Sequence, residues 1–208
     1  MTKIEDFSTG IPMKSNTKLI EIDPTENINN KRNIRLLLKH IAESNLDNLL
    51  TNISNAYHDE AEIRAFHPIN DLKGIKNIES VYWRPLLKAF PDLERRDNLF
   101  IGGSFQNNIF VSAISHLTGT FTNEWLNVPP HGKTIHLRTC EVHQIEKGKI
   151  IQSHILIDTI DFIRQAGFWP INKSLGVEEM WPGPITGDGT TFENLDKKLS
   201  TASLDQGL

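Results

Sequence analysis

Apolar residues recur at helical spacing in the first third of the chain. Asp23 is a preferred N-cap residue, Pro24 suits the first helical position, and Glu26 stands three residues after the cap. A helix is therefore predicted from this point. Its apolar stripe consists of Ile34, Leu37, Leu38 and Ile41. A second stripe follows Asn45, which indicates two helices or one that bends there: Leu46, Leu49, Leu50 and Ile53.

The next segments alternate between strand and helix patterns. Residues 57–66 alternate weakly and are predicted as a strand that ends at His67, because Pro68 disfavours helical backbone at the residue before it. Gly74 precedes an amphipathic helical pattern that runs to Phe90. Pro85 lies inside this pattern and predicts a kink or a restart of the helix.

The second half of the chain has the pattern of consecutive antiparallel strands. Strands are predicted over 97–104, 109–120, 134–145 and 149–158, with a loop over 121–133 and a short helix over 159–166. Helices, a strand, a helix and then a run of strands predict an α+β fold rather than a doubly wound one. We expect an N-terminal arm over 1–22, one domain over 23–167, and a partly flexible C-terminal extension over 168–208.

Composition excludes several classes of partner. The 208 residues carry a net charge of −4 without a block of Lys or Arg, so a nucleic-acid surface is not expected. No stretch is long and apolar enough for a membrane span or a signal segment. The single cysteine, Cys140, forms no internal disulfide and is expected to be a small buried residue. These features predict a cytoplasmic protein.

Three stretches, taken in order, resemble one family. Residues 88–94 (KAFPDLE) resemble the "AFPDL" that ends a helix in SnoaL-like polyketide cyclases and related ester cyclases. Residues 117–121 (LTGTF) and 128–133 (VPPHGK) resemble their "TGTHTG…GIPPTGK". Residues 148–167 resemble "GKIVEHWDVFDTLGLLRQLG". The resemblance spans about half of the chain.

The resemblance implies a fold and a class of function. The family belongs to the nuclear-transport-factor-two-like superfamily, in which helices pack on a strongly curved antiparallel sheet and enclose an apolar pocket. It implies a SnoaL-like polyketide cyclase or an isomerase-type enzyme that uses acid/base chemistry, without a cofactor, on a small apolar carbonyl compound. The alternative is a non-catalytic binding protein of the same fold. The uncovered face of such a sheet needs burial, so a homodimer is expected.

Asp158 is the first candidate for the acid/base group. The resemblance places a family aspartate at this position, and strand alternation puts His154, Leu156 and Asp158 on one face. A carboxylate in an apolar pocket can both remove and return a proton. The alternative is that Asp158 only caps the helix that begins at Thr159.

Histidines and aromatic residues complete the predicted site. His143 lies across the Lys147-Gly148 turn, opposite Gln152 or Ser153, and the resemblance implies a histidine near the aspartate. His154 stands where the family commonly has Trp, and either His143 or His154 is the predicted catalytic partner of Asp158. The spacing of the histidines is not that of a recognised metal site, so no metal is expected. Glu141 shares a strand face with His143 and could be a second carboxylate of the site, but a surface pair with Arg138 or Lys149 is favoured. The predicted pocket-lining residues are His67, Trp83, His116, Phe121, Trp125 and Leu156.

Overall fold

The computed structural model describes residues 22–169, 171–172, 187, 189–190, 192 and 198. Helices and strands follow each other in the predicted order. The helical elements are α1 (Pro24–Ala42), α2 (Leu49–Ala56), α3 (Ile75–Asn77), a π-helical segment (Ile78–Trp83), α4 (Arg84–Ala89) and α5 (Thr159–Gln165). The strands are β1 (Tyr57–Ala65), β2 (Asp71–Lys73), β3 (Glu94–Phe105), β4 (Asn108–Thr120), β5 (Thr134–Glu146) and β6 (Lys149–Ile157).

One sheet of six strands in the order β2-β1-β6-β5-β4-β3 forms the body of the molecule. The last four strands pair antiparallel, and β5 and β6 are joined by the tight turn Lys147-Gly148, where both residues have positive φ. β1 pairs with β6 in the parallel sense. The α+β fold is therefore confirmed, but its sheet is mixed rather than purely antiparallel, since the long helical segment between β1 and β3 allows a crossover.

The helices cover one face of the sheet, which we call the inner face. Alternation along β5 shows it clearly, because every second side chain of this strand is buried. α1 and α2 bury their apolar stripes against the same face. The largest fully buried side chains include Tyr57, Tyr82, Trp83, Phe90, Phe100, Phe121 and Phe162.

Most local predictions from the sequence are confirmed. Asp23 caps α1, and its Oδ1 accepts hydrogen bonds from the backbone N–H of Thr25 and Glu26 at 2.9 and 3.1 Å. The two apolar stripes form two separate helices. Pro85 lies in the first turn of α4, where its missing N–H costs nothing, so the helix restarts as expected.

One strand differs from its predicted bounds, and part of the chain lies outside the described residues. β3 begins at Glu94, three residues before the predicted start, because Arg95 already faces inwards and pairs with buried carboxylates. Residues 1–21 of the predicted arm, and most of the extension predicted as partly flexible, lie outside the described residues. Within the described part of the chain, no helix combines the length and apolar character needed to cross a membrane.

Candidate active site

Six polar side chains form a continuous hydrogen-bonded chain on the inner face of the sheet. We call this set the buried polar chain. All of its members are buried, and they come from four strands, with Arg95 and Asp97 on β3 and Glu141 and His143 on β5. Burying charge is costly unless each group is paired, so such a set is unusual in a core this size. The members are Arg95, Asp97, Ser115, Glu141, His143 and Ser153.

Arg95 is the centre of the buried polar chain. Its Nη1 lies 3.0 Å from Glu141 Oε1 and its Nη2 lies 2.9 Å from Glu141 Oε2, which is a two-pronged ion pair. Its Nε donates to Asp97 Oδ1 at 2.8 Å, and its Nη2 also donates to Ser115 Oγ at 3.0 Å. The Ser115 hydroxyl in turn donates to Asp97 Oδ1 at 2.7 Å. One buried cation is thus shared by two buried carboxylates.

This pairing decides the ionisation of Glu141. Burial raises the pKa of the carboxyl, but the charge of Arg95 and the hydrogen bond from His143 outweigh it and hold the pKa well below its ordinary value. The pKa of Arg95 is raised, because the attraction of Glu141 and Asp97 exceeds the effect of burial. Glu141 therefore remains a carboxylate in the interior of the protein.

His143 extends the buried polar chain from Glu141 toward β6 and β1. Its Nε2 lies 3.1 Å from Glu141 Oε2, and its Nδ1 lies 2.7 Å from Ser153 Oγ. A carboxylate only accepts hydrogen bonds, so Nε2 carries the proton in the neutral imidazole and Nδ1 accepts from the Ser153 hydroxyl. Ser153 Oγ is also 3.5 Å from Tyr57 Oη. The predicted cross-strand pairing of His143 with Ser153 is confirmed.

Aromatic residues with buried donors surround this end of the core. Tyr82 Oη, Trp83 Nε1 and Trp125 Nε1 have no hydrogen-bond partner among the described residues. Burial raises the pKa of the Tyr82 phenol well above its ordinary value, and the negative charge of Glu141 adds to the rise, so the phenol keeps its proton. The rings of Tyr82 and Trp125 both pack edge-on against Phe66, with centroids 6.4 and 6.3 Å apart. Unpaired buried donors are costly, so these three can each bind an acceptor atom.

Asp158 acts as a helix cap in this structure. Its Oδ1 accepts from the backbone N–H of Asp161 at 2.9 Å at the start of α5, and its Oδ2 pairs with Arg138 Nη2 at 2.8 Å. Arg138 belongs to the opposite face of β5 from Glu141 and His143. The capping alternative that the sequence left open is thus observed, while an acid/base role for Asp158 stays a prediction.

The structure separates the other predicted site residues into two groups. Trp83, Phe121 and Trp125 are buried in the core, and their role as lining residues stays a prediction. His154 and Leu156 are exposed, and Leu156 is 61% exposed, because inward positions of β6 are Ser153, Ile155 and Ile157. His67 is exposed in the turn after β1. The placement of His154, Leu156 and His67 in the pocket is therefore corrected.

His116 is buried, but on the opposite side of β4 from the buried polar chain. Its neighbour Ser115 points inwards, so His116 points outwards, where its Nδ1 donates to Asn98 Oδ1 at 2.7 Å. Burial, together with the nearby charges of His136 and Arg138, lowers the pKa of His116 to about 4. Its Nε2 has no partner among the described residues. His116 is thus a neutral, structural histidine rather than a lining residue.

Two expectations for β5 are wrong for one reason. Glu141 was expected at the surface and Cys140 in the core. The opposite side of the strand faces the core, so Glu141 is buried and Cys140 is exposed. Lys149 instead donates to the carbonyl of Ser54 at 2.8 Å. Among the described residues, no group of three or more His, Cys, Asp or Glu side chains is arranged to hold a metal ion.

Surface concavities do not coincide with the buried polar chain. One of about 710 Å³ is lined by the loop after α1, the end of α4 and the loop after β4. Another, of about 380 Å³, lies over β3, β4 and β5, where Phe105, Phe110 and Val142 line it. Neither is lined by a residue of the buried polar chain. Size alone therefore does not mark the candidate site, whereas paired buried charges do.

In this fold the helices pack on one face of an unclosed mixed sheet. This arrangement is typical of nuclear-transport-factor-two-like proteins. Residues 28–166 match the family model of SnoaL-like polyketide cyclases, and the chain belongs to this family. Among proteins with curated functions, none matches the chain.

Similar solved structures support the same fold at low sequence identity. A protein described as a SnoaL-like polyketide cyclase from Jannaschia sp. CCS1 has a TM-score of 0.56 and 16% identity, over 66% of this chain and 90% of that one. IdmH from Streptomyces antibioticus, described as a polyketide cyclase, has a TM-score of 0.54 and 17% identity, over 66% and 98%. AclR from Streptomyces galilaeus, described as a hydroxylase, has a TM-score of 0.54 and 14% identity, over 86% and 93%.

The capping role of Asp158 predicts a graded effect of two substitutions. Asp158→Ala removes both the cap and the ion pair with Arg138, and we expect it to lower the free energy of unfolding by about 0.5–2 kcal/mol. Asp158→Asn keeps the cap, since Asn caps as well as Asp, and loses only a partly exposed ion pair worth about 0–1 kcal/mol. Urea unfolding measures both. Equal stability of all three proteins would contradict the capping role.

The lowered pKa of His116 predicts a dependence of stability on pH. In the unfolded chain a histidine titrates near 6.5, roughly, so the unfolded state binds the extra proton first as pH falls. The free energy of unfolding should therefore be highest above that pH and should decrease as pH falls toward about 4, the folded value. Urea unfolding between these two pH values should show a weaker decrease in the free energy of unfolding for His116→Gln than for the wild type. The exposed His154→Gln is the control, and an equal effect there would refute the assignment.

Proposed function

We propose that the protein is a cofactor-free acid/base enzyme, of the cyclase or isomerase type, acting on a small apolar carbonyl compound at the inner face of the sheet. The observation that carries this proposal is the line of contacts from Arg95 through Glu141 to His143. A base oriented by a second group is the arrangement that general-base catalysis requires. Family membership supports the reaction class, and the aromatic surroundings support an apolar substrate.

His143 is the group that we assign to proton transfer. Glu141 fixes the proton on Nε2 and leaves the lone pair of Nδ1 as the base. When Ser153 Oγ turns toward Tyr57, Nδ1 can take a proton from the carbon next to a carbonyl group. The electron pair of the broken C–H bond forms a carbon–carbon double bond, and the π pair of the carbonyl group moves to its oxygen, which gives an enolate. Tyr82 Oη is a buried donor suited to that oxygen, and the proton returns from Nδ1 to carbon or oxygen.

Deuterium exchange at the methyl group of 2-acetylnaphthalene in D₂O tests this assignment without knowledge of the natural substrate. We expect the protein to accelerate exchange, and His143→Gln to lower the rate by about 10²–10⁴-fold, the usual contribution of general acid/base catalysis. Asp158→Asn should leave the rate within a few fold. Circular dichroism and the unfolding midpoint establish that both variants are folded.

Other outcomes of the exchange experiment are equally informative. Loss of exchange in Asp158→Asn, with His143→Gln active, would return the acid/base role to Asp158 as the family resemblance implies. Binding of 2-acetylnaphthalene, seen as a rise in the unfolding midpoint, without any accelerated exchange would favour the alternative function. That alternative is a non-catalytic small-molecule binding protein, in which the unpaired donors of Tyr82, Trp83 and Trp125 hold the ligand.

We further propose that the outer face of the sheet forms a homodimer in the cytoplasm. This face exposes Ile101, Phe105 and Leu156, and it also carries Cys140, which a reducing compartment keeps as a thiol. Leu156→Glu should shift the protein from dimer to monomer in light scattering coupled to gel filtration. The exposed helical residue Leu50 provides the control Leu50→Glu. A monomeric wild type, or a Leu156→Glu dimer of unchanged affinity, would contradict this interface.

A further inference from the structure

The buried polar chain reaches the surface at a contact with α1. Arg35, whose side chain is 39% exposed, places its Nε 2.7 Å from Asp97 Oδ2. The other oxygen of Asp97 accepts from Arg95 and Ser115. Each carboxylate oxygen of Asp97 is thus held by a different guanidinium group. Contacts then lead inwards from Arg35 through Asp97, Arg95 and Glu141 to His143.

Residues of the C-terminal extension lie over this contact. The Phe192 ring centroid is 5.6 Å from the guanidinium carbon of Arg35 and 5.8 Å from that of Arg32, distances at which a cation interacts with an aromatic face. Arg32 Nη2 also donates to the Phe192 carbonyl at 3.3 Å. Phe192 therefore holds the face of α1 that carries Arg35.

Backbone pairing fixes the extension beside the same strand. Phe100 N–H donates to the carbonyl of Gly189 at 3.0 Å, and Gly189 N–H donates to the carbonyl of Asn98 at 3.1 Å. A side chain at position 189 would come within 2.7 Å of the Asn98 carbonyl and 2.9 Å of Leu99 Cα, so the close approach requires glycine. The extension is thus seated at the edge of β3, next to Asp97.

We propose that Arg35, held under Phe192 of the C-terminal extension, is a positioning residue for His143. It acts through Asp97, Arg95 and Glu141 and does not itself contact the substrate. This inference rests on the proposed function of His143. It gives the extension, which lies beyond the residues matched by the family model, a part in completing the active site.

The mechanism follows from competition for Arg95. With Arg35 present, Asp97 Oδ2 is already paired and Arg95 uses both Nη atoms for Glu141. Without Arg35, both oxygens of Asp97 depend on Arg95, which turns toward them and loosens its hold on Glu141. Glu141 Oε2 receives the His143 Nε2–H, so the imidazole ring and its hydrogen bonds shift with it.

Nitrogen NMR of the histidine rings in the full-length, ¹⁵N-labelled protein tests the proposal. The His143 ring signals are identified by their absence from His143→Gln. We expect Arg35→Gln to move the Nε2 signal of His143, and Arg35→Lys, which keeps a donor and the charge, to restore most of its position. Phe192→Leu should move the signal in the same direction by a smaller amount. In the exchange experiment Arg35→Gln should lower kcat by up to about 100-fold, as small misplacements of catalytic groups do, with KM unchanged.

Lys39→Gln is the matched control. Lys39 lies one turn further along α1 and pairs with Glu43 at 3.7 Å, so its loss removes the same charge from the same helix. An unmoved His143 signal in Arg35→Gln, or an equal movement in Lys39→Gln, would overturn the positioning role. An unmoved His143 signal in Phe192→Leu would show that the C-terminal extension does not help to position His143. The signals are read without substrate, so a failure of exchange would count only against the proposed function.

Discussion

The ion pair between Arg95 and Glu141 is the constraint on which the interior of this protein depends. Both side chains are almost completely buried, and removal of one partner from such a pair typically costs about 3–5 kcal/mol because the other charge is left unpaired. The whole stability of a domain is about 5–15 kcal/mol, so this contact can decide whether the protein folds. Replacement of the pair by apolar residues would often cost nothing. A pair kept at such a site is better explained by the chemistry of His143 than by stability.

Two different environments on the two faces of β5 follow from strand alternation. Glu141 and His143 face a core in which aromatic rings exclude water, so each charge must be matched inside the protein. Arg138, on the other face, meets Asp158 and Asp161 near solvent, where such pairs contribute little. The strand therefore carries two acidic–basic systems that do not share a partner. One orders a helix, and the other orients an imidazole.

Local signals in the sequence were sufficient for most of the fold. The cap at Asp23, the break at Pro85 and the turn at Lys147-Gly148 each act through a few neighbouring residues, which a reader of the sequence can see. The parallel pairing of β1 with β6 could not be read in this way, because it joins residues about 90 positions apart. Family resemblance supplied the fold class but implied an antiparallel sheet, from which this parallel pair departs.

The candidate site was predicted only in part, and the reason is physical. The pairing of His143 with Gln152 or Ser153 followed from the turn, whereas nothing in the local sequence marked Arg95 or Asp97 as buried. Their burial depends on partners from other strands, which single-sequence patterns do not contain. His154 and Leu156 were assigned to the wrong face because Asp158 was taken to continue the strand, whereas it belongs to the helix that follows.

The pairing of β1 with β6 also has a consequence for the order of folding. β1 leaves the ribosome long before β6, and an isolated strand of this kind has one neighbour, the three-residue β2. Contacts between residues so distant in sequence form slowly, because the chain between them must first be closed into a loop. Ser153 meets His143 across the short Lys147-Gly148 turn, whereas Tyr57 meets Ser153 only when β1 docks on β6. The surroundings of His143 are therefore complete only after this slow pairing, so a partly folded chain lacks the contact between Tyr57 and Ser153.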